Sequence, residues 1–406
     1  LMADIEKLND VAVTSTEAVN GVAVASIEAI NGCGYVTTTT ASRWAMTAIN
    51  GYFAYAANSD LTSWTAYDAY DESGGASQVS GDGEFLAYGK NNSGNPVYVA
   101  TRSMDNTGGG SGEPDREIHY STTDITDGNE WTNVDIDGDD NNKRHIQCVM
   151  WGARSDGTAA GTWMAVGKQN TGRIYRSVDG AANWSEVDIS GLTGHSDGSN
   201  SSHYIQGIAS DGAGKWMFAQ QNRIYYSTDD GASWAVSTPF STNAPGRNQG
   251  IVFTNNSWVV VYSRSSQIKF RSCAASDITD WGDEAANPSN SMSSPSNNST
   301  NVKIAAANGN VVACSEDDYS VCRFTVSGKT IGTVSGVEFA ANDSANGKCK
   351  GLATDGTKWV LCCQKGDLYD STDNGASWTQ RLDAFQIDGV AARNLAGIVG
   401  NVFYPL

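Results

Sequence analysis

The sequence predicts an all-β chain: a seven-bladed β-propeller preceded by a short, repeat-containing N-terminal arm. Three observations carry this. The stretch "IYYSTDDGASW" (224–234) returns as "LYDSTDNGASW" (368–378), with a worn copy, "IYRSVDGAANW", at 174–184. The tryptophans that close such stretches recur at a nearly fixed step. Gly is abundant (44), Pro is scarce (7), and polar residues crowd the gaps between short apolar runs, as in a chain of short strands joined by turns.

The tryptophans serve as a ruler. Trp184 and Trp234 lie 50 residues apart, and Trp234 and Trp378 lie 144 apart, or three steps of 48. A period of that size marks a propeller or a solenoid. Trp281 closes "FRSCAASDITDW", Trp131 closes "IHYSTTDITDGNEW" and Trp64 closes "YAANSDLTSW". The long step from Trp64 to Trp131 calls for an insertion, and "NTGGGSGEPD" (106–115) supplies it. Near residue 330 the tryptophan is missing and "CRFTVSGKTIGTV" stands in its place, which makes seven units.

Within a unit, "IQGIASDGAGKWMFAQ" (205–220), "NQGIVFTNNSWVVVY" (248–262) and "CKGLATDGTKWVLCC" (349–363) each read as apolar strand, polar turn, apolar strand. The aromatic strand and the tryptophan turn follow, giving three to four antiparallel strands. One such sheet cannot bury both faces, but seven packed radially can. The last strands, "NLAGIV" and "NVFYPL", lack a unit of their own and are expected to pair with the first blade and close the ring.

Residues 41–406 form this expected propeller, and residues 1–40 differ. "VAVTSTEAVNG" (11–21) is followed at once by "VAVASIEAING" (22–32), and "ADIEKLND" (3–10) is a partial earlier copy. Each full unit ends in an Asn-Gly turn. The segment is too short for a core of its own and reads as an attachment or oligomerisation arm.

Charge narrows the partners. With 26 basic and 45 acidic residues the chain carries −19. Such a surface repels phosphate backbones and anionic lipid, so nucleic acid is not an expected partner. No run of about 18 apolar residues appears, so membrane insertion is not expected.

"STDDGASW" and "STDNGASW" match the pattern Ser-x-Asp-x-Gly-x-Ser/Thr-Trp, and the chain resembles the Asp-box (bacterial neuraminidase repeat) propellers of sialidases, sortilin-type receptors and several glycosidases. Ser227, Asp229, Gly231 and Trp234 fit the pattern, as do Ser371, Asp373, Gly375 and Trp378. The copy with Ser177, Asp179 and Trp184 has Ala181 in place of Gly and Asn183 in place of Ser/Thr. The carboxylate suits backbone N–H groups of a turn, the glycine a positive φ, and the tryptophan a large apolar burial. The expected role is structural, a fastener away from the substrate face. Sialidase chemistry would further require a Phe/Tyr-Arg-Ile-Pro motif, two more arginines, a Tyr–Glu nucleophile pair and an acid Asp. Here the matching place reads "SRWAM": Arg43 is present without Ile-Pro. Arg247, Arg271 and Arg393 form no recognisable clamp, and no Tyr–Glu pairing is legible.

Candidate binding residues come from the position before each apolar inner strand: Arg43, Gln78, Gln147, Gln206, Gln249, Lys303 and Lys350. All are long, and neutral or basic. They are expected to form a collar at the channel mouth, suited to carboxylate, sulfate or sugar hydroxyls. No catalytic residue and no obligatory cofactor is assigned. Asp135, Asp137 and Asp139 alternate like the first half of a calcium loop, but the twelfth position is Ile146 rather than Glu, so a solvated acidic turn is the leading reading and calcium the alternative. Cys314 and Cys322 lie symmetrically about Asp318 and offer one disulfide pairing; the other cysteines read as small buried apolar residues, with Cys362 and Cys363 on opposite faces of one strand.

The arm also resembles tandem repeats at the start of bacteriophage tail and virion proteins. Together these readings point to a non-enzymatic virion protein, assembled in the host cytoplasm and displayed on the extracellular particle. It would contact other virion proteins through residues 1–40, assemble as a homo-oligomer, and bind host-surface glycan at the channel mouth. The alternatives are an exo-acting sialidase-type glycoside hydrolase and a bacterial surface or scaffold propeller.

Overall fold

A computed structural model of the chain describes residues 43–47, 52–68, 81–104, 118–122, 131–134, 136, 146–167, 173–195, 205, 207–220, 223–237, 248–264, 267–286, 302–315, 320–339, 349–363, 365–383, 386–387, 390–391 and 398–400, with four short strands before them. The chain divides into two units, Leu1–Ala41 and Ser42–Leu406. In the first, Ala18–Val19 pairs with Val22–Ala23 and Ala29–Ile30 with Cys33–Gly34. Both pairs flank the Asn-Gly steps that the tandem repeat places eleven residues apart.

The second unit is a seven-bladed β-propeller of antiparallel sheets. Blade one is Ile398–Gly400, Arg43–Thr47, Tyr52–Ala57 and Thr65–Asp68, in that spatial order. Blade two is Gly81–Lys90, Pro96–Met104, Ile118–Ser121 and Thr132–Val134. Blade three is Ile146–Gly152, Thr162–Gly167, Ile174–Ser177 and Ser185–Val187, and blade four is Ile208–Ser210, Trp216–Gln220, Arg223–Ser227 and Ala235–Ser237. Blade five is Asn248–Thr254, Ser257–Arg264, Gln267–Ala274 and Ala285–Ala286. Blade six is Val302–Ala307, Asn310–Ser315, Ser320–Ser327 and Ser335–Glu338, with Thr330–Ile331 extending its third strand. Blade seven is Cys349–Thr354, Trp359–Cys363, Leu368–Ser371 and Thr379–Leu382.

The first strand of every blade touches the first strand of the next, round to Ile398–Gly400, which touches those of blades seven and two. The hub is therefore a closed ring of seven strands. The expected closure from "NLAGIV" is present: Ile398 pairs with Met46, Val399 with Ala45 and Gly400 with Trp44. "NVFYPL" lies outside the described residues from Asn401 onward, as does the insertion at 106–115.

The second strands show why the blades need one another. Trp359–Cys363 is buried at every residue. Alternation sends Trp359, Leu361 and Cys363 into a cluster shared with blade six, and Val360 and Cys362 into one shared with blade one. Cys362 and Cys363 thus face opposite ways, as expected. Blade five repeats the split: Trp258, Val260 and Tyr262 meet blade four, while Val259 and Val261 meet blade six. In blade three, Trp163 and Ala165 meet blade two, and Met164 and Val166 meet blade four. Trp44, Trp163, Trp216, Trp258 and Trp359 are fully buried, and each faces the preceding blade. Burying one indole removes roughly 200 Å² from water, or about 5 kcal/mol before entropic costs.

The tryptophans of the ruler join the same interfaces. Trp64, Trp131, Trp184, Trp234, Trp281 and Trp378 each pack on the cluster shared with the preceding blade. In blade six, Ile331 and Val334 of the stand-in stretch fill that role.

Three hairpins share one hydrogen-bond network. Ser227 Oγ donates to Asp229 Oδ1 (2.7 Å) and accepts from Gly231 N (2.9 Å), while Ser233 N and Oγ donate to the two carboxylate oxygens (2.9 and 2.5 Å). Ser371, Asp373, Gly375 and Ser377 repeat it, and so do Ser177, Asp179, Ala181 and Asn183. The indole N–H of Trp64, Trp184, Trp234 and Trp281 donates to the carbonyl three residues earlier. Gly231 needs its glycine twice over: φ is +78°, and a methyl there would lie 2.9 Å from Met164 Sδ in blade three. Ala181 takes φ +71° without that freedom.

The cysteine pairing differs from the expectation. Cys314 bonds to Cys349, joining blades six and seven, and Cys322 is a buried thiol outside that bond. The register explains it: Cys314 lies opposite Val321, and Cys322 lies opposite Ala313. The two side chains therefore leave opposite faces of the sheet. Cys148, Cys273, Cys362 and Cys363 are also buried thiols, as small apolar residues would be.

The disulfide closes a 35-residue span, so reduction, or Cys314→Ser, lowers unfolding stability by about 2–4 kcal/mol in urea melts; an unchanged midpoint contradicts the bond. Asp373 has its pKa brought down to about 2: burial pushes it up, but hydrogen bonds from Ser377 and Ser371 outweigh this. A carboxylate depressed on folding adds stability above its ordinary range near pH 4 and loses it as pH falls through about 2. Asp373→Ala removes that contribution at pH 7 and flattens the loss between pH 4 and 2, read from urea midpoints at each pH; an acid limb identical to wild type contradicts the network.

Candidate functional site

Strand direction alternates within each blade. The tryptophan hairpins, which join third to fourth strands, therefore share a face with the turns between first and second strands. The first strands begin on the opposite face. Of the collar positions expected from sequence, Gln147, Gln249, Lys303 and Lys350 lie near the start of first strands, at that opposite face.

Four first strands carry the same irregularity near their start. The ladder skips one residue between Gly83 and Phe85, Ile146 and Cys148, Asn248 and Gly250, and Cys349 and Gly351. A bulge of this kind leaves the extra residue out of the pairing and re-aims it. The skipped residues are Glu84, Gln147, Gln249 and Lys350. Gln147, Gln249 and Lys350 are thus brought to equivalent places. Lys303 sits on the first strand of blade six in regular pairing, opposite Cys314. Gln206 and Gln78 lie outside the described residues.

Arg43 occupies a different place. It begins the second strand of blade one, opposite Ala57, because the first strand there comes from Ile398–Gly400. Its guanidinium lies 5.1 Å from the ring centre of Tyr55, a cation–π contact. In blade two the bulge position is Glu84, so the ring does contain a carboxylate position, which the sequence register anchored at Gln78 did not show.

Lys303 and Lys350 are half-buried. The Lys303 ammonium acts on two thiols in different blades. Burial pushes Cys148 up to about 11 and Cys362 up to about 12, and the Lys303 charge opposes both shifts. Packing at the hub is tight: a methyl on Gly207 would meet Gly250 Cα at 3.1 Å.

A Tyr–Glu pair that sequence could not reveal is present elsewhere. Tyr262 Oη donates to Glu284 Oε2 at 2.6 Å, and Lys269 Nζ lies 3.4 Å from Glu284 Oε1. Arg271 also reaches the Tyr262 hydroxyl. The tyrosine is fully buried on the second strand of blade five, and burial, then the Glu284 contact, push its pKa up. That is the opposite of what a nucleophilic phenolate needs, so this cluster acts as an internal polar bridge. Arg247 and Arg393 lie outside the described residues.

A second polar group lies between blades three and four, where His195 Nδ1 is 3.0 Å from Gln220 Oε1 and the ring packs edge-on to Tyr225. Among the described residues no His, Cys, Asp or Glu cluster suits a metal ion; Asp135, Asp137 and Asp139 lie outside them. No helix of the described residues is long and apolar enough to cross a membrane.

No family model matches this sequence, and no curated protein matches it. Solved structures share its architecture. An ancestral GH74 enzyme superposes with a TM-score of 0.53 at 11% identity, covering 84% of this chain and 44% of that one. A catalytically inactive virginiamycin B lyase from Staphylococcus aureus, solved with quinupristin, gives 0.48 at 16% identity over 76% of this chain and 86% of that one. YCF48 from Cyanidioschyzon merolae gives 0.47 at 13% over 73% and 84%. At these identities the likeness is one of fold alone.

Proposed function

We propose that this chain is a non-enzymatic bacteriophage virion protein, with an attachment arm at residues 1–40 and an Asp-box propeller that binds host-surface glycan at its channel mouth. One observation carries the binding reading. Three first strands place Gln147, Gln249 and Lys350 at the same bulge, with Lys303 beside them, on the face free of fasteners. Glutamine and lysine are residue types that suit a carboxylate or sulfate flanked by sugar hydroxyls. The eleven-residue hairpin repeats support the virion reading, since regular short units suit stacking on identical neighbours. Homo-oligomeric assembly and contacts with other virion proteins are assigned to this arm. No cofactor is assigned.

The rival reading is an exo-acting sialidase-type glycoside hydrolase. Calorimetric titration with acidic oligosaccharides separates the two. Binding without turnover is expected, and the double variant Lys303→Gln, Lys350→Gln weakens it tenfold or more. Unchanged affinity in that variant removes the collar, and release of a terminal sugar in the same samples favours the hydrolase.

A further inference from the structure

We propose that blade seven carries a second partner for Cys349: Cys363, placed to take Cys349 over from Cys314 and so move the covalent tie from the seam between blades six and seven into blade seven itself. Cys314, Cys349 and Cys363 are fully buried in one cluster. The other described thiols lie elsewhere: Cys362 faces blade one, Cys322 faces blade five, Cys148 lies between blades three and four, and Cys273 between blades four and five. The register sets Cys363 directly opposite Cys349 across the first and second strands. Both backbone groups of Cys363 turn the other way, since its N–H donates to Asp367 O (2.9 Å) and its carbonyl accepts from Gly366 N (3.2 Å). The pair is therefore of the non-hydrogen-bonded kind, in which Cα atoms lie about 4.5 Å apart and side chains are closest. That separation falls inside the disulfide range of about 4.4–6.8 Å, as does the 6.5 Å between Cys314 and Cys349.

The exchange needs no outside oxidant or reductant. The Cys363 thiol gives up its proton, and the thiolate attacks Cys349 Sγ. The bond from Cys349 to Cys314 breaks, Cys314 leaves as a thiolate, and a proton returns to it from water, so one disulfide and one thiol stand on each side of the step. Only the thiolate attacks. In the closed seam, burial, then Cys362 and Asp367, hold the Cys363 thiol well above the ordinary thiol range, so the bond stays where it is until the seam opens to water. After exchange the seam keeps its non-covalent contacts alone, among them Val312 and Val321 of blade six in one cluster with Trp359 and Leu361 of blade seven. The position of the bond therefore records whether this seam has opened.

The test uses the full chain, kept free of reductant. Wild type is held in mildly alkaline urea below its unfolding transition, quenched with acid at intervals, and mapped for disulfide-linked peptides. The share of Cys349 linked to Cys363 is expected to rise at least threefold, matched by loss of the bond to Cys314. Cys363→Ser should keep the Cys314 bond throughout, which also shows that the new partner is Cys363 and not its neighbour Cys362. Cys314→Ser, incubated with oxidised glutathione, should form the bond between Cys349 and Cys363, the two thiols being oxidised as glutathione disulfide is reduced. Either of two results overturns the inference. One is wild type whose Cys349 stays bonded to Cys314 alone while the amide hydrogens of that seam exchange with solvent. The other is a Cys314→Ser variant that melts cooperatively yet keeps Cys349 and Cys363 as two reduced thiols.

Discussion

The structure depends on second strands that are apolar on both faces. Trp359, Leu361 and Cys363 need one neighbour, and Val360 and Cys362 need another. No single four-stranded sheet meets that demand, so each blade is stable only between two others. In an open row the two end blades would leave one such face in water. Only a ring satisfies all seven, and it closes at blade one, where Ile398–Gly400 pairs with the strand Arg43–Thr47.

That closure gives the molecule its division of labour. Both tryptophan sets, on the second strands and in the hairpins, bear on the preceding blade, so the fastening is directional and repeats round the disc. Polar contacts reinforce it: Ser155 N and Oγ donate to the buried Asp230 carboxylate across blades three and four, and Asn58 Nδ2 donates to Asp355 across the closing interface. The hairpins hold one face. Near the other, the Cys314–Cys349 bond ties the bulged start of blade seven to blade six.

Much of this was legible in the residues. The tryptophan ruler counts blades correctly because each indole takes an equivalent pocket on the preceding sheet, and four of the six also donate to the carbonyl three residues back. Even the missing tryptophan near residue 330 was locatable, since Ile331 and Val334 fill its volume. The phase of blade one was not read, because "RWAMT" looks like any apolar first strand. The signal was available: Trp44 matches Trp163, Trp216, Trp258 and Trp359, all at or next to the start of second strands. Glu84 was missed for a related reason, since "EFLAY" aligns with "KGLAT" and "QGIAS" only when the strand rather than the preceding turn sets the register. The partner of Cys314 was beyond reach, because Cys349 sits in the next blade and local symmetry favoured Cys322. Tyr262 and Glu284 meet only through the order of strands in a sheet, which spacing does not report.

The strand Ile398–Gly400 completes the first blade and so closes the ring. Val399 lies directly opposite Ala45, so a double variant, Val399→Cys with Ala45→Cys, places two thiols across that pair. Mild oxidation followed by peptide mapping should find a bond between positions 45 and 399, and the bonded protein should melt higher than its reduced form. Folded protein in which those two positions never link, while the thiol introduced at position 399 reacts freely with an added reagent, would contradict a closed ring.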